Sequence, residues 1–368
     1  VVERSATTGP NSPGGGAHLG AASDRRALQD ADTTAPGASE TSATVALAVA
    51  LSLTGAAEVQ VITANTSGLA SAGGGLYVAG TCSVAEAGAL SLTSGTTAGD
   101  DAPGGGLSCA ELTVGLEAQV AVAASRTTGA RSGGGGVSVG SASVEGKLRV
   151  QDSGTEGSEA PGGCVRVAGV LVVVKGTVEV ERCSTLRELS PGGAVAAKGL
   201  ELSQGRLSVM TSSTQGGQSP GGGVYVIAVT KTDTTVAAGA VNAIDSVILL
   251  EGCSTKGPGS PGGGLMTRDI GLTSTNLSVS LSTTAGGNSP GGAVACFFLT
   301  AVGSQVGVAD SSTAGADSSG GCLAVMTQGS LSGGAGVEAA GCATTGEESH
   351  GGGVAASGEF AVPEGSVA

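Results

Sequence analysis

Two pentapeptides could house a nucleophile. GQSPG (217–221) and GNSPG (287–291) both fit G-x-S-x-G, in which a strained turn exposes a reactive serine. That chemistry needs a helix after the serine and a histidine–acid pair close by. Here proline follows each serine, β-prone residues follow the glycines, and the two histidines are His18 and His350, one near each end. Neither could serve both serines, so no catalytic residue is expected. The glycines of QSPGGGVYV (218–226) could instead cradle phosphate, but G-x-x-x-x-G-K-[ST] does not occur. No cofactor is expected.

The most regular chemical group is a threonine hydroxyl. Thr97, Thr127, Thr155, Thr185, Thr214, Thr255, Thr284, Thr313 and Thr344, preceded by Thr7 and Thr66, each stand five residues after the last apolar residue of a strand-like run. Turned outward on a flat face, such a column would resemble a β-helical ice-binding surface. Those surfaces run T-x-T along a strand, whereas here C/S-S/T-T runs into glycine and reads as a turn. The favoured reading is a structural ladder, its hydroxyls bonded to backbone or to each other. The spacing leaves open whether it faces in or out. Two residues before each threonine stands a small residue, among them Cys183, Ser212, Cys253, Ser282, Ser311 and Cys342.

Eight cysteines add a second possibility. Cys164 and Cys322 replace a recurring glycine, and the same two repeats carry Cys183 and Cys342. That co-occurrence suggests bridges Cys164–Cys183 and Cys322–Cys342, as a secreted protein would allow. Small core sites filled by Cys in place of Ser or Ala are the alternative. No Cys-x-x-Cys or Cys/His grouping suggests a metal site. The acidic pairs Asp100-Asp101 and Glu347-Glu348 read as solvated turns, since the glycine–aspartate nonapeptide of calcium β-rolls is missing. Asn65 and Asn276 head N-x-S sequons and are candidate glycosylation sites.

What must position these residues is a repeat. Glycine-rich corners begin at Gly14, Gly73, Gly104, Gly134, Gly162, Gly192, Gly221, Gly262, Gly291, Gly320 and Gly351. Most lie 28 to 31 residues apart, SATV (42–45) stands in for a degenerate corner, and one spacing is 41, from a surplus at 229–240. Within a repeat, apolar and polar residues alternate, as in Leu200-x-Leu202 and Leu207-x-Val209. A unit of three such short strands cannot bury its own apolar face, so it must stack on its neighbours. The expected fold is all-β: a parallel, right-handed β-helix with three short strands per coil of about 29 residues. About twelve coils at a strand spacing of about 4.8 Å would make a single rod about 55–60 Å long. It would span 1–368 with 229–240 as an inserted loop. Both ends fall in mid-coil without a polar cap, which suggests a window of a longer array or a protomer that stacks head to tail.

Composition agrees. The chain has 69 Gly, no Trp, two Tyr and three Phe, so small aliphatic side chains must fill its core. A net charge of −14 disfavours nucleic acid and anionic membranes, and no apolar run approaches a membrane-spanning helix.

The pattern C/S-S/T-T-x-G-x-x-S-P-G-G-[GAC]-[VL] resembles the repeats of polymorphic outer-membrane proteins and related β-helical adhesins. The match to their G-G-A-[ILV] corner is literal at Gly192-Gly193-Ala194-Val195 and Gly291-Gly292-Ala293-Val294, whereas their F-x-x-N half is absent. The resemblance implies a surface-exposed adhesive or structural role and transfers no site residue. The reading is an extracellular or cell-surface structural or adhesive solenoid, a segment of a fibre, coat or appendage. Its partners would be copies of itself or adjoining repeats end to end, with surface glycans or proteins besides. A solenoid binding ice or glycan on a flat Ser/Thr face is the alternative. A polysaccharide-active enzyme is a third reading, disfavoured by scattered charges and scarce aromatics.

Overall fold

A computed structural model describes residues 2–7, 17–18, 50–226 and 239–361; for 2–7 and 17–18 the strand pairing alone is considered. The described residues form β-strands, turns and bends, with no helix. They wind into about ten turns of a solenoid whose strands stack in parallel, one coil upon the next. The corner at Gly14 and most of the insertion at 229–240 lie outside the described residues.

A regular coil has a long, a medium and a very short strand, as in Val195–Ser203, Arg206–Met210 and Ser213–Thr214. The long strand joins two apolar pieces that the sequence divides, because the chain bends between them without losing its pairing. The bend shows as a register shift between Val167 and Val170 where Val165–Val174 meets the next coil. The very short strand holds the threonine column and continues the sheet of the medium strand.

Register is tight because one face is buried. Thr177 to Glu181 pair one to one with Arg206 to Met210, so Val178 lies over Leu207 and Val180 over Val209. A slip of one residue would send these to solvent and Glu179 into the core. All four are 1% exposed or less, each burial contributing roughly 1.5–3 kcal/mol. The interior is a continuous column of Leu, Val, Ile and Ala with a few Cys.

The corner glycines have a steric reason. Gly104, Gly162, Gly192, Gly221, Gly262, Gly291, Gly320 and Gly351 all take φ between 68° and 77°, a region L-residues avoid. A Cβ on the second glycine, Gly193, would collide with the backbone oxygen of Gly222 in the next coil. The third position tolerates side chains, as Cys164, Ala194, Ala293 and Cys322 demonstrate.

The insertion opens the long strand at its bend. Val224–Val226 and Ala240–Ile244 together occupy one strand's place, Val224 pairing with Leu265 and Val241 with Ile270. The stack is therefore in register on both sides of the extra residues.

Candidate functional site

From Thr66 to Thr313 the threonine column faces inward. Thr97, Thr127, Thr155, Thr185, Thr214, Thr255, Thr284 and Thr313 are essentially inaccessible. Each hydroxyl donates to the carbonyl five residues on: Thr97 to Ala102 (2.7 Å), Thr155 to Ala160 (2.8 Å), Thr185 to Ser190 (2.6 Å), Thr255 to Ser260 (2.6 Å). Thr66, Thr214, Thr284 and Thr313 repeat the bond at 2.5–2.8 Å, and Thr127 makes it to Ser132. Thr344 is half-buried. The bond closes the turn leading to the corner and satisfies a buried carbonyl that water cannot reach. An outward threonine array is therefore not what this column forms.

The serines of GQSPG and GNSPG belong to a second ladder, which the sequence reading missed. Ser219 and Ser289 are fully buried. The Ser219 hydroxyl accepts the Ser190 N–H (3.0 Å) and lies within bonding distance of the Gly217 carbonyl (3.2 Å). The backbone N–H of Ser219 donates in turn to the Ser260 hydroxyl in the next coil (2.9 Å). Ser260, Ser289, Ser318 and Ser349 continue the series at 2.9 Å. The signal is the serine that recurs before Pro-Gly-Gly, easily passed over in favour of its proline and glycines. Neither hydroxyl is free to attack anything. His350 is exposed and its backbone N–H donates to Ser319 (3.2 Å).

The cysteines divide into two sets. Cys164 is bonded to Cys183 and Cys322 to Cys342, with Cα atoms 5.5 and 5.4 Å apart; each bridge ties the start of a coil to its end. Cys82, Cys109, Cys253 and Cys296 are free and buried. Burial pushes the thiols of Cys253 and Cys296 up to about 12, so they stay protonated and unreactive at neutral pH. Among the described residues, no group of three His, Cys, Asp or Glu side chains could hold a metal ion. No helix there is long and apolar enough to cross a membrane. Asn65 and Asn276 are both exposed.

Charge collects on the outside of coils between Asp101 and Glu188. Arg131 grips Asp101 of the preceding coil through two bonds of 2.7 Å, and Arg182 grips Asp152 at 2.5 and 2.8 Å. Those guanidiniums hold both carboxyls below their usual range. Lys147–Glu179 (2.9 Å) and Arg126–Glu156 (2.5 Å) also join successive coils. Exposed pairs of this kind add little to stability, because water and salt screen them.

Beside them runs a trough of about 710 Å³ across the turns of four coils. Thr128, Glu156, Ser158, Leu186, Glu188 and Gln215 line it, with backbone of Gly157 and Gly216. It offers hydrogen bonds and charge of both signs to a polar ligand, and its lining has no aromatic ring to stack on one.

Comparison with protein-family models, with characterised proteins and with solved structures finds no match to this chain. What the fold defines is a class: a parallel β-solenoid of stacked coils.

Proposed function

We propose that this chain is an extracellular or cell-surface structural and adhesive solenoid, a segment of a fibre, coat or appendage that acts through shape and stacking, without catalysis. One observation carries the reading. The side chains that recur coil after coil, Thr214 and Ser219 with their equivalents, are buried and bonded to backbone. Repetition here maintains a scaffold, while the outward positions vary from coil to coil. Two disulfides fit an oxidising compartment. The Gly-Gly-Ala-Val corners favour a repeat of the polymorphic outer-membrane type. Partners on this reading are copies of the chain or adjoining repeats end to end, with surface glycans or proteins contacting the charged coils and their trough.

Electron microscopy and fibre diffraction of the purified chain test the proposal. Rods that lengthen by end-to-end association, with an axial repeat of about 4.8 Å, are expected. Monodisperse particles that never elongate at high concentration would overturn the assembly reading. Thermal hysteresis is expected to be absent, and its presence would favour ice binding instead.

A further inference from the structure

One turn breaks the rule of the repeat. Glycine stands two residues after the ladder threonine in each coil from Gly68 to Gly346 except one, where Arg187 takes its place. A Cβ added at Gly157 would drive into the Gly129 carbonyl of the coil before, and one at Gly216 into that of Arg187. A side chain at this place therefore works against the stacking, and residues that break a local rule concentrate at functional sites. Arg187 is exposed and lines the trough. Unlike Arg126, Arg131 and Arg182, it forms no ion pair with another described residue, and neither does Glu188 beside it. The trough continues at both ends. Glu156 and Leu186 also line a hollow of about 210 Å³ that reaches Arg126, and Glu188 and Gly217 one of about 350 Å³ that reaches Asn288. With their shared walls the three hollows make one groove across six successive coils, about 24 Å along the stack.

We infer that this groove takes a neutral, unbranched oligosaccharide, with Arg187 and Glu188 at its centre. The inference deepens the adhesive reading above and rests on it. Arg187 brings only donors, Glu188 only acceptors, and Gln215, Thr128 and Ser158 bring both. Neighbouring hydroxyls of a sugar ring donate and accept at once, so a diol can meet a guanidinium fork and a carboxylate side by side. Leu186 and Leu189, 37% and 46% exposed, offer apolar surface to the C–H faces of the rings. A peptide finds less. Strand addition needs a free backbone edge, yet the N–H groups of Glu156, Leu186, Leu189, Gln215 and Gln218 all donate to adjoining coils. The lining, mostly glycine backbone and polar side chains, gives an anchoring residue no apolar pocket. A polyanion would meet Glu188 and a chain of net charge −14.

The test is calorimetric titration of the whole chain with malto-, cello-, laminari- and chitooligosaccharides of two to six sugars, and with hexagalacturonate as the acidic control. At least one neutral series should bind, with affinity rising from disaccharide to hexasaccharide as the outer hollows fill. Arg187→Gly restores the regular turn, so it should melt no lower than the unaltered chain and yet bind at least about tenfold more weakly. Glu188→Gln should also weaken binding. Equal binding by the unaltered chain and Arg187→Gly, affinity complete at a disaccharide, or preference for the acidic control would each overturn the inference. So would no binding by any neutral series, or a random peptide library binding at the groove in its place. Rods that elongate but bind no sugar would sink this inference alone, whereas sugar binding by particles that never elongate would sink the assembly reading alone.

Discussion

Replacing Gly223 with cysteine should give Cys253 the partner its coil lacks. Cys253 stands in the column of Cys183 and Cys342, and Gly223 in that of Cys164 and Cys322. A Cβ at Gly223 would lie 3.4 Å from Cys253 Cβ and 2.7 Å from its sulfur, close to the separations a disulfide requires. Gly223 is not among the left-handed glycines, so a side chain adds no backbone strain there. The bridge would close a loop of thirty-one residues, 223 to 253, which the chain-entropy relation values at about 3.7 kcal/mol. Against this stands a 2.7 Å approach of the new Cβ to the Gly264 carbonyl, an overpacking cost of about 1 kcal/mol. Gly223→Ser shares that cost without forming a bond and is the proper reference. Urea unfolding should therefore find Gly223→Cys more stable than Gly223→Ser by about 3.7 kcal/mol. Its alkylatable thiols should be Cys82, Cys109 and Cys296 alone. Alkylation of both Cys253 and the sulfur introduced at position 223, or equal stability of the two variants, would refute the column argument.

Thr214→Val should cost about 1–2 kcal/mol in the same assay, because it strands the buried Ser219 carbonyl, while Thr214→Ser should recover most of the loss. Gly216→Ala should destabilise by at least about 1–3 kcal/mol, since the added Cβ drives into the Arg187 carbonyl. Gly307→Ala meets nothing within 4 Å and should be neutral or stabilising by up to about 1 kcal/mol on thermal melting. Arg182 lowers the folded-state pKa of Asp152, so the pair's contribution is complete above the ordinary carboxylate value and fades as pH falls below it. Asp152→Asn should flatten the acid limb of a melting-temperature-against-pH profile and leave the neutral limb's slope unchanged.

The period, the alternation and the corners are legible because each has a local cause. Gly192 is glycine since its φ requires it, and Val178 and Val180 alternate with Glu179 since a strand has two faces. Other features depend on contacts a single repeat does not contain. A hydroxyl can bond water or a carbonyl equally well, so nothing in Ser213-Thr214-Gln215 says that Thr214 turns inward. That follows from the carbonyl of Ser219 being sealed beneath the corner. The serine ladder depends on the coil above, which supplies or receives each bond. Equally hidden are left-handed turns at Asp152, Arg182, Thr211, Leu281 and Asp310, with φ of 48–53°. Residue type does not demand these turns, and the bonds of the stacked coils hold them, as when Asp152 N–H donates to the Glu181 carbonyl (3.0 Å). The trough at Glu156 and Glu188 sets side chains that vary over the backbone of the recurring Gly157 and Gly216, so its chemistry is not read from the repeat.

The serine ladder gives the stack an arrow in time. Ser190 presents its N–H to Ser219, and Ser219 presents its own to Ser260, so the hydroxyl always arrives with the later coil. Threonine bonds and disulfides, by contrast, close a coil using its own residues. A ribosome or a secretion pore that releases the chain from its N-terminus would therefore deliver self-closed rings. Each newcomer would quench the open donor of the ring before it. Growth in that order keeps one unsatisfied serine N–H at the advancing front, and each added coil makes retreat of the coil beneath it harder.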